Sequence, residues 1–244
     1  VYRRTVEGKV LDFGTTGLLR FSNLVMYDRQ TESWWQEFGG EAIVGEMTGK
    51  KLELLPMNIV SWKEFKEAHP KGKVLSRDTG YRRPYGDNPY IQYDSQYPFM
   101  YSGPQDRRLK AMDRIVGISL ATEALAIPYS VLEKNGVAQV QLDGQDLVVF
   151  YKKGTASALD SGYIAEGRDV GAATVYRRVL EGRKLTFRAE ADQFVDEETG
   201  STWTLLGEAK SGQLAGKRLA PVAHQNSFWF AWVAFRPQTA VYKP

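Results

Sequence analysis

Apolar residues in this chain come in short stretches broken by Gly, Asn, Asp and Pro, a pattern that predicts strands joined by tight turns. From Val1 to Phe13, Val6, Val10 and Leu11 lie around Glu7-Gly8, a hairpin signal, and Thr174 to Leu180 and Arg183 to Arg188 flank Glu181-Gly182 in the same way. Asp196 to Gly200 predicts a turn ahead of a strand from Ser201 to Leu206. Further strands are expected at Ile115 to Ile118, Leu147 to Tyr151 and Thr155 to Leu159, where aromatic, β-branched and small residues gather. Phe228 to Phe235 is almost continuously apolar and reads as a strand buried on both faces, central to the core. Ser61 to Ala68 is expected as a short helix, with Trp62, Phe65 and Lys66 on one face and Pro70 ending it. Arg77 to Pro104, rich in Tyr, Gly, Pro, Asp and Asn without a sustained period, is expected as a long ordered loop, and loops of that length often carry function.

The pattern also repeats. Val1-Tyr2-Arg3-Arg4, Glu7-Gly8, Leu11 and Phe13 recur at identical spacing as Val175-Tyr176-Arg177-Arg178, Glu181-Gly182, Leu185 and Phe187. Asp28, Thr31, Ser33 and Trp35 match Asp196, Thr199, Ser201 and Trp203. Glu41-Ala42, Gly45, Gly49-Lys50-Lys51-Leu52, Trp62 and Phe65 match Glu208-Ala209, Gly212, Gly216-Lys217-Arg218-Leu219, Trp229 and Trp232. Three blocks in one order predict a mainly β protein with a few short helices, built as two diverged copies of one β-rich unit packed with pseudo-two-fold symmetry. The expected division is a first copy over 1–76, a Tyr/Pro/Gly-rich loop over 77–109 and a second copy over 110–244, all in one body. The first copy lacks a counterpart of residues 110–174, so a preceding portion of that size is expected.

Composition narrows the classes. Of 244 residues, 43% are hydrophobic and 25% charged, the balance of a folded globular chain. Thirty-two Lys and Arg against 29 Asp and Glu leave a formal charge of +3, and Arg82-Arg83, Arg107-Arg108 and Arg177-Arg178 are scattered, so no nucleic-acid partner is expected. The absence of cysteine removes disulfides, thiolate metal sites and cysteine nucleophiles. Nothing approaches the roughly 18 apolar residues of a membrane-spanning helix.

Local motifs are weak. Gly45 to Lys51 has only three residues between its glycines and Lys51 where a phosphate-binding loop needs Ser or Thr, and its repeat at Gly212 to Arg218 favours a structural turn. With His69 and His224 the only histidines, a three-histidine zinc site cannot form, and no metal site is expected. No Gly-x-Ser-x-Gly elbow occurs, although Ser157 remains a candidate nucleophile with His224 as base; a small-residue strand explains the same letters better. His224 itself suits either a general base or a core imidazole bonded to a backbone carbonyl.

Three functions stay open. A binding module for a glycan or small polar ligand would use Tyr81, Tyr85, Asn88 and Tyr90 of the loop with Arg29, aided by Trp34 and Trp35 as aromatic platforms. A hydrolase-like enzyme would bring Arg77, Asp78 and His224 into one cleft as electrostatic and acid/base groups. A structural or assembly protein would self-associate through its related surfaces. No cofactor is identified.

Ser22 to Thr31, Leu75 to Tyr81, Gly86 to Tyr90, Gly154 to Asp160, Glu198 to Trp203 and His224 to Pro237 together resemble the domain-of-unknown-function family DUF3179 over essentially the whole chain. In that family a Cys-Pro-Leu-Cys-like motif usually precedes the first repeat block, and this chain lacks it. The resemblance implies a bacterial or archaeal protein placed outside the cytoplasm, in the periplasm or at the cell surface. It implies no activity.

Overall fold

Side-chain chemistry and turn geometry give this chain a mainly β architecture with three short α-helices, seen in a computed structural model that describes residues 1–98 and 101–244. Tyr2–Arg3 (β1) leads into Thr5–Val6 (β2) and Lys9–Val10 (β3), which pair across Glu7 and Gly8. Both turn residues have positive φ, 48° and 81°, the twist that a two-residue hairpin needs. Phe13–Arg20 (β4), Asn23–Asp28 (β5), Trp34–Gln36 (β6) and Glu41–Val44 (β7) form an antiparallel four-stranded meander. Glu53–Leu54 (β8) then returns beside β1, with Tyr2 opposite Leu54. Trp62–Ala68 (α1) is capped by the Ser61 hydroxyl, which accepts from Glu64 N at 3.3 Å, and it stops at His69, just before Pro70.

Arg114–Ser119 (β9), Ala124–Pro128 (β10), Tyr129–Asn135 (α2), Val137–Leu142 (β11), Gln145–Lys152 (β12) and Ala172–Arg177 (β13) follow the loop. Val179–Leu180 (β14) and Arg183–Lys184 (β15) make a hairpin across Glu181-Gly182. Phe187–Glu190 (β16), Gln193–Asp196 (β17), Thr202–Trp203 (β18) and Ala209–Ser211 (β19) form a second antiparallel meander. Gln225–Phe228 (β20), Trp229–Val233 (α3) and Ala240–Val241 (β21) end the fold. The order β20-β9-β10-β21 makes one sheet and β11-β12-β13 another.

The sheet β11–β13 lies between two cores because its strands are apolar on both faces. Leu147, Val149, Tyr151 and Val175 pack with Val116, Ile118, Ile127 and Leu132, while Val148, Phe150 and Tyr176 pack with Leu185, Phe187, Phe194 and Trp203. A smaller cluster of Val6, Leu11, Trp35, Ala42, Met47 and Leu52 underlies the first meander.

Each meander buries a tryptophan whose indole N–H needs an acceptor. Trp35 donates to Asp28 Oδ2 at 2.8 Å, and Thr31 binds the same carboxylate and Ser33. Trp203 donates to Asp196 Oδ2 at 2.8 Å, with Thr199 and Ser201 arranged likewise. Trp35 is therefore a fully buried core residue and offers no platform to a ligand, whereas Trp34 is 38% exposed.

Two strand expectations fail. The run from Phe228 to Phe235 is not one strand: β20 ends at Phe228 and Trp229 to Val233 are helical. A segment buried on all sides has no polar face to separate a helical from an extended period. Residues 155–159 form no strand either, only a bridge from Ala156 to Asp169, because the Asp169 carboxylate takes the N–H groups of Gly154, Thr155 and Gly171. The expected long loop holds one 3-10 turn, Tyr93–Ser95, and an isolated bridge from Asp87 to Tyr163; its residues 99 and 100 lie outside the described ones.

Candidate ligand-binding site

Tyr97, Tyr101 and residues 104–111 lie over the start of α3 and line with it a cleft of about 490 Å³. The clamp is Arg108. It binds the Asp106 carboxylate through Nε at 2.9 Å, donates from Nη2 to Pro237 O at 2.8 Å and from Nη1 to Thr239 O, and lies 5.0 Å from the Trp229 ring centroid. Backbone bonds from Trp229 N to Asp113 O and from Phe230 N to Ala111 O, at 2.9 and 3.0 Å, fix the helix against the loop. Tyr101 packs edge-on against Phe230 at 5.0 Å and donates its hydroxyl to Pro104 O at 2.7 Å; Gln105 Nε2 donates to Tyr97 OH at 3.2 Å.

The electrostatics of the cleft are uneven. Hydrogen bonding to Arg108 is the chief reason the Asp106 carboxyl titrates below its usual range, and burial pushes the Tyr101 phenol up. Asp106 is thereby neutralised by Arg108, whereas the side chains of Arg107 and Lys110, which also line the cleft, have no ionic partner among the described residues. Trp229 is fully buried and its Nε1, though close enough to Asp106 to help stabilise the carboxylate, closes no hydrogen bond of good geometry. The Asp113 carboxylate also lines the cleft and accepts from Lys110 N at 2.9 Å, so three cationic side chains and two carboxylates share it with the aromatic walls.

A second polar cluster pins the preceding part of the loop. The buried Asp94 carboxylate accepts from Ser157 Oγ and Arg114 Nη2, both at 2.5 Å, and pairs with Arg168 Nη2 at 3.0 Å. Burial works to raise the Asp94 carboxyl, but the Ser157 hydroxyl, Arg114 and Arg168 together hold it below the usual range. Such an acid is a poor base. The Ser157 hydroxyl also accepts from Arg114 Nη2 and Leu159 N, and His224 does not bind it: the His224 Nδ1 meets Val222 O at 2.9 Å instead.

The candidate residues read from the sequence lie apart. Arg77 lines a shallow surface hollow with Tyr81 and Tyr85, and Asp78 is exposed with its N–H on Ser76 Oγ at 3.0 Å. His224 is buried and lines a different cavity, of about 240 Å³, between β1, β8 and β20. Burial lowers its imidazole below the ordinary value, against the Val222 and Ala173 carbonyls. Asn88 is buried, its amide donating to Ser161 O and accepting from Tyr90 N, so it shapes the loop. Tyr85 OH bonds Thr79 Oγ1 at 2.7 Å, Tyr81 and Tyr90 are exposed, and Arg29 bonds Tyr27 OH and pairs with Asp12 at 3.4 Å. Tyr97, Tyr101, Arg107, Lys110 and Phe230 escaped sequence reasoning, since no spacing links a loop to a helix about 120 residues later; the only signal was the loop's tyrosine content. Among the described residues no group of three or more His, Asp or Glu is placed to hold a metal ion, and no helix is long and apolar enough to cross a membrane.

The family model described as "Protein of unknown function (DUF3179)" matches residues 1–239. No curated protein and no solved structure matches the chain.

Proposed function

We propose, for a chain that belongs to the DUF3179 family of proteins of unknown function, that it binds a small polar ligand with a ring face and an anionic group, such as an acidic glycan, in the cleft lined by Tyr97, Tyr101, residues 104–111 and the start of α3. One observation supports this reading: Arg107 and Lys110 line the cleft without an ion pair among the described residues, so that with Arg108 its cations outnumber the Asp106 and Asp113 carboxylates, while Tyr97, Tyr101 and Phe230 supply its apolar surface. Of the loop's earlier part, Tyr81 and Tyr85 line a separate hollow and Tyr90 does not line the cleft. An enzyme built on Arg77, Asp78 and His224 has less support, because His224 and Arg77 line separate cavities. An assembly role has none beyond exposed apolar surface.

In this reading the segments 1–76 and 110–244 are diverged copies of one unit, packed with pseudo-two-fold symmetry and joined by the loop 77–109 that carries the ligand. The matched Trp35–Asp28 and Trp203–Asp196 bonds support it. A setting outside the cytoplasm follows only from the family resemblance.

Calorimetric titration with a uronic-acid oligosaccharide and its neutral counterpart tests the function. The acidic sugar alone is expected to bind, and the double variant Arg107→Ala/Lys110→Ala to lose at least about tenfold in affinity, since charge-assisted bonds dominate such contacts. Equal binding of both sugars, no binding, or an unaffected double variant would each remove the proposal.

A further inference from the structure

Matched positions of the two meanders differ in what covers them. In the second, Phe150 of β12 stacks on Phe194 with centroids 4.1 Å apart and lies 5.1 Å from Phe187 and 5.8 Å from Tyr176. All four rings are buried. In the first, Tyr2, Phe13 and Met26 stand where Tyr176, Phe187 and Phe194 stand in the second. Phe13 meets Trp35 at 5.7 Å and 81°, the geometry that Phe187 has on Trp203. Yet Tyr2, Phe13 and Met26 are only half-buried, and Val1, matching the buried Val175, is 63% exposed. No aromatic ring among the described residues occupies the slot that Phe150 fills in the second meander.

The strand edges differ in the same way. β13 pairs with β12 on one side, Val148 opposite Tyr176, and meets Pro221 on the other. β1 has only the second kind of neighbour, β8, with Leu54 in the place of Pro221. Its other edge is unpaired among the described residues. An apolar face beside a free strand edge is the arrangement through which β-strands are added.

We infer that this face seats an antiparallel β-sheet partner built like β11–β13. Its edge strand pairs with β1, places an aliphatic residue opposite Tyr2, and two positions later sends an aromatic ring between Tyr2, Phe13 and Met26. The register follows from β12, where Val148 faces Tyr176 and Phe150 faces Thr174. The inference rests on reading the two meanders as matched copies and is independent of the ligand cleft.

The chain's own residues 114–174, joined directly before Val1, supply the probe, since residue 174 precedes Val175 as the graft precedes Val1. Amide hydrogen exchange at Tyr2 and Arg4, whose counterparts Tyr176 and Arg178 face the β12 side, is expected to slow by about tenfold or more in the grafted protein, and a graft carrying Phe150→Asp to lose that protection. Unchanged exchange in the graft overturns the proposed occupant. The open face is tested separately on the 244-residue chain, which is expected to bind a hydrophobic dye and to lose much of that signal on Met26→Lys. A chain that binds no dye, or a signal that Met26→Lys leaves intact, shows that the face is closed and overturns the inference at its root; dye binding lost on Met26→Lys without protection by the graft overturns the partner alone.

Discussion

His224 and Met57 take corresponding places in the two proposed copies, but His224 is buried and Met57 is 40% exposed. Burial holds the imidazole below its ordinary value, so the folded protein takes up a proton less readily than the unfolded chain. The contribution of His224 to stability is therefore complete above the unfolded value of about 6.5 and is lost as pH falls from there toward the folded value. Urea unfolding between pH 7 and pH 5 is expected to show a falling midpoint, and His224→Met is expected to flatten that dependence. At this scale the sequence was half legible. Its pattern left His224 open between general base and core imidazole; in the structure the imidazole is buried with Nδ1 on the Val222 carbonyl, while its Nε2 has no hydrogen-bond partner. Asn88 and Trp35, both read as binding groups, are spent on the protein's own hydrogen bonds, which residue type alone does not reveal.

Among the elements, the hairpins were legible and the last helix was not. Glu-Gly pairs announce their turns because glycine accepts positive φ without strain, whatever surrounds them. The helix α3 depends on its surroundings: Trp229, Phe230, Trp232 and Val233 are all buried, so the run carries no periodic polar mark. What fixes it lies elsewhere in the chain. Trp232 rests on Gly117 of β9, where an added Cβ would come within 2.3 Å of the indole. Gly117→Ala is accordingly expected to destabilise the protein by about 1–3 kcal/mol through overpacking, read as a fall in the chemical denaturation midpoint. Because Trp229 and Phe230 of α3 line the cleft proposed to bind an acidic sugar, the same substitution is expected to weaken that binding, whereas a small change remote from α3 would not.

For the whole molecule, the sheet β11–β13 joins two cores, and Phe150 is the ring that locks it to the second meander. Phe150→Ala removes contacts to Phe187, Phe194 and Tyr176 together and is expected to cost about 3–5 kcal/mol, measured by urea unfolding. The mainly β class was readable from alternating strands and turn residues, and the family from motifs spread along the chain. The cleft was not, since it is assembled from a loop without periodicity and the start of a distant helix.

That loop is anchored by backbone bonds from Asn88 N to Gly162 O, from Gln92 N to Asp160 O and from Ile164 N to Gly86 O, and by Asp94 on Arg114, Ser157 and Arg168. Every one of these contacts, apart from that to Arg114, joins residues separated by some seventy positions, so each must wait for a large chain closure before it forms. Pinning of the loop is therefore expected late in folding. While the chain is being synthesised, the loop emerges before its anchors at residues 157–168, and the cleft beside it waits longer still, because Arg108 closes on the carbonyls of Pro237 and Thr239 some 130 positions later.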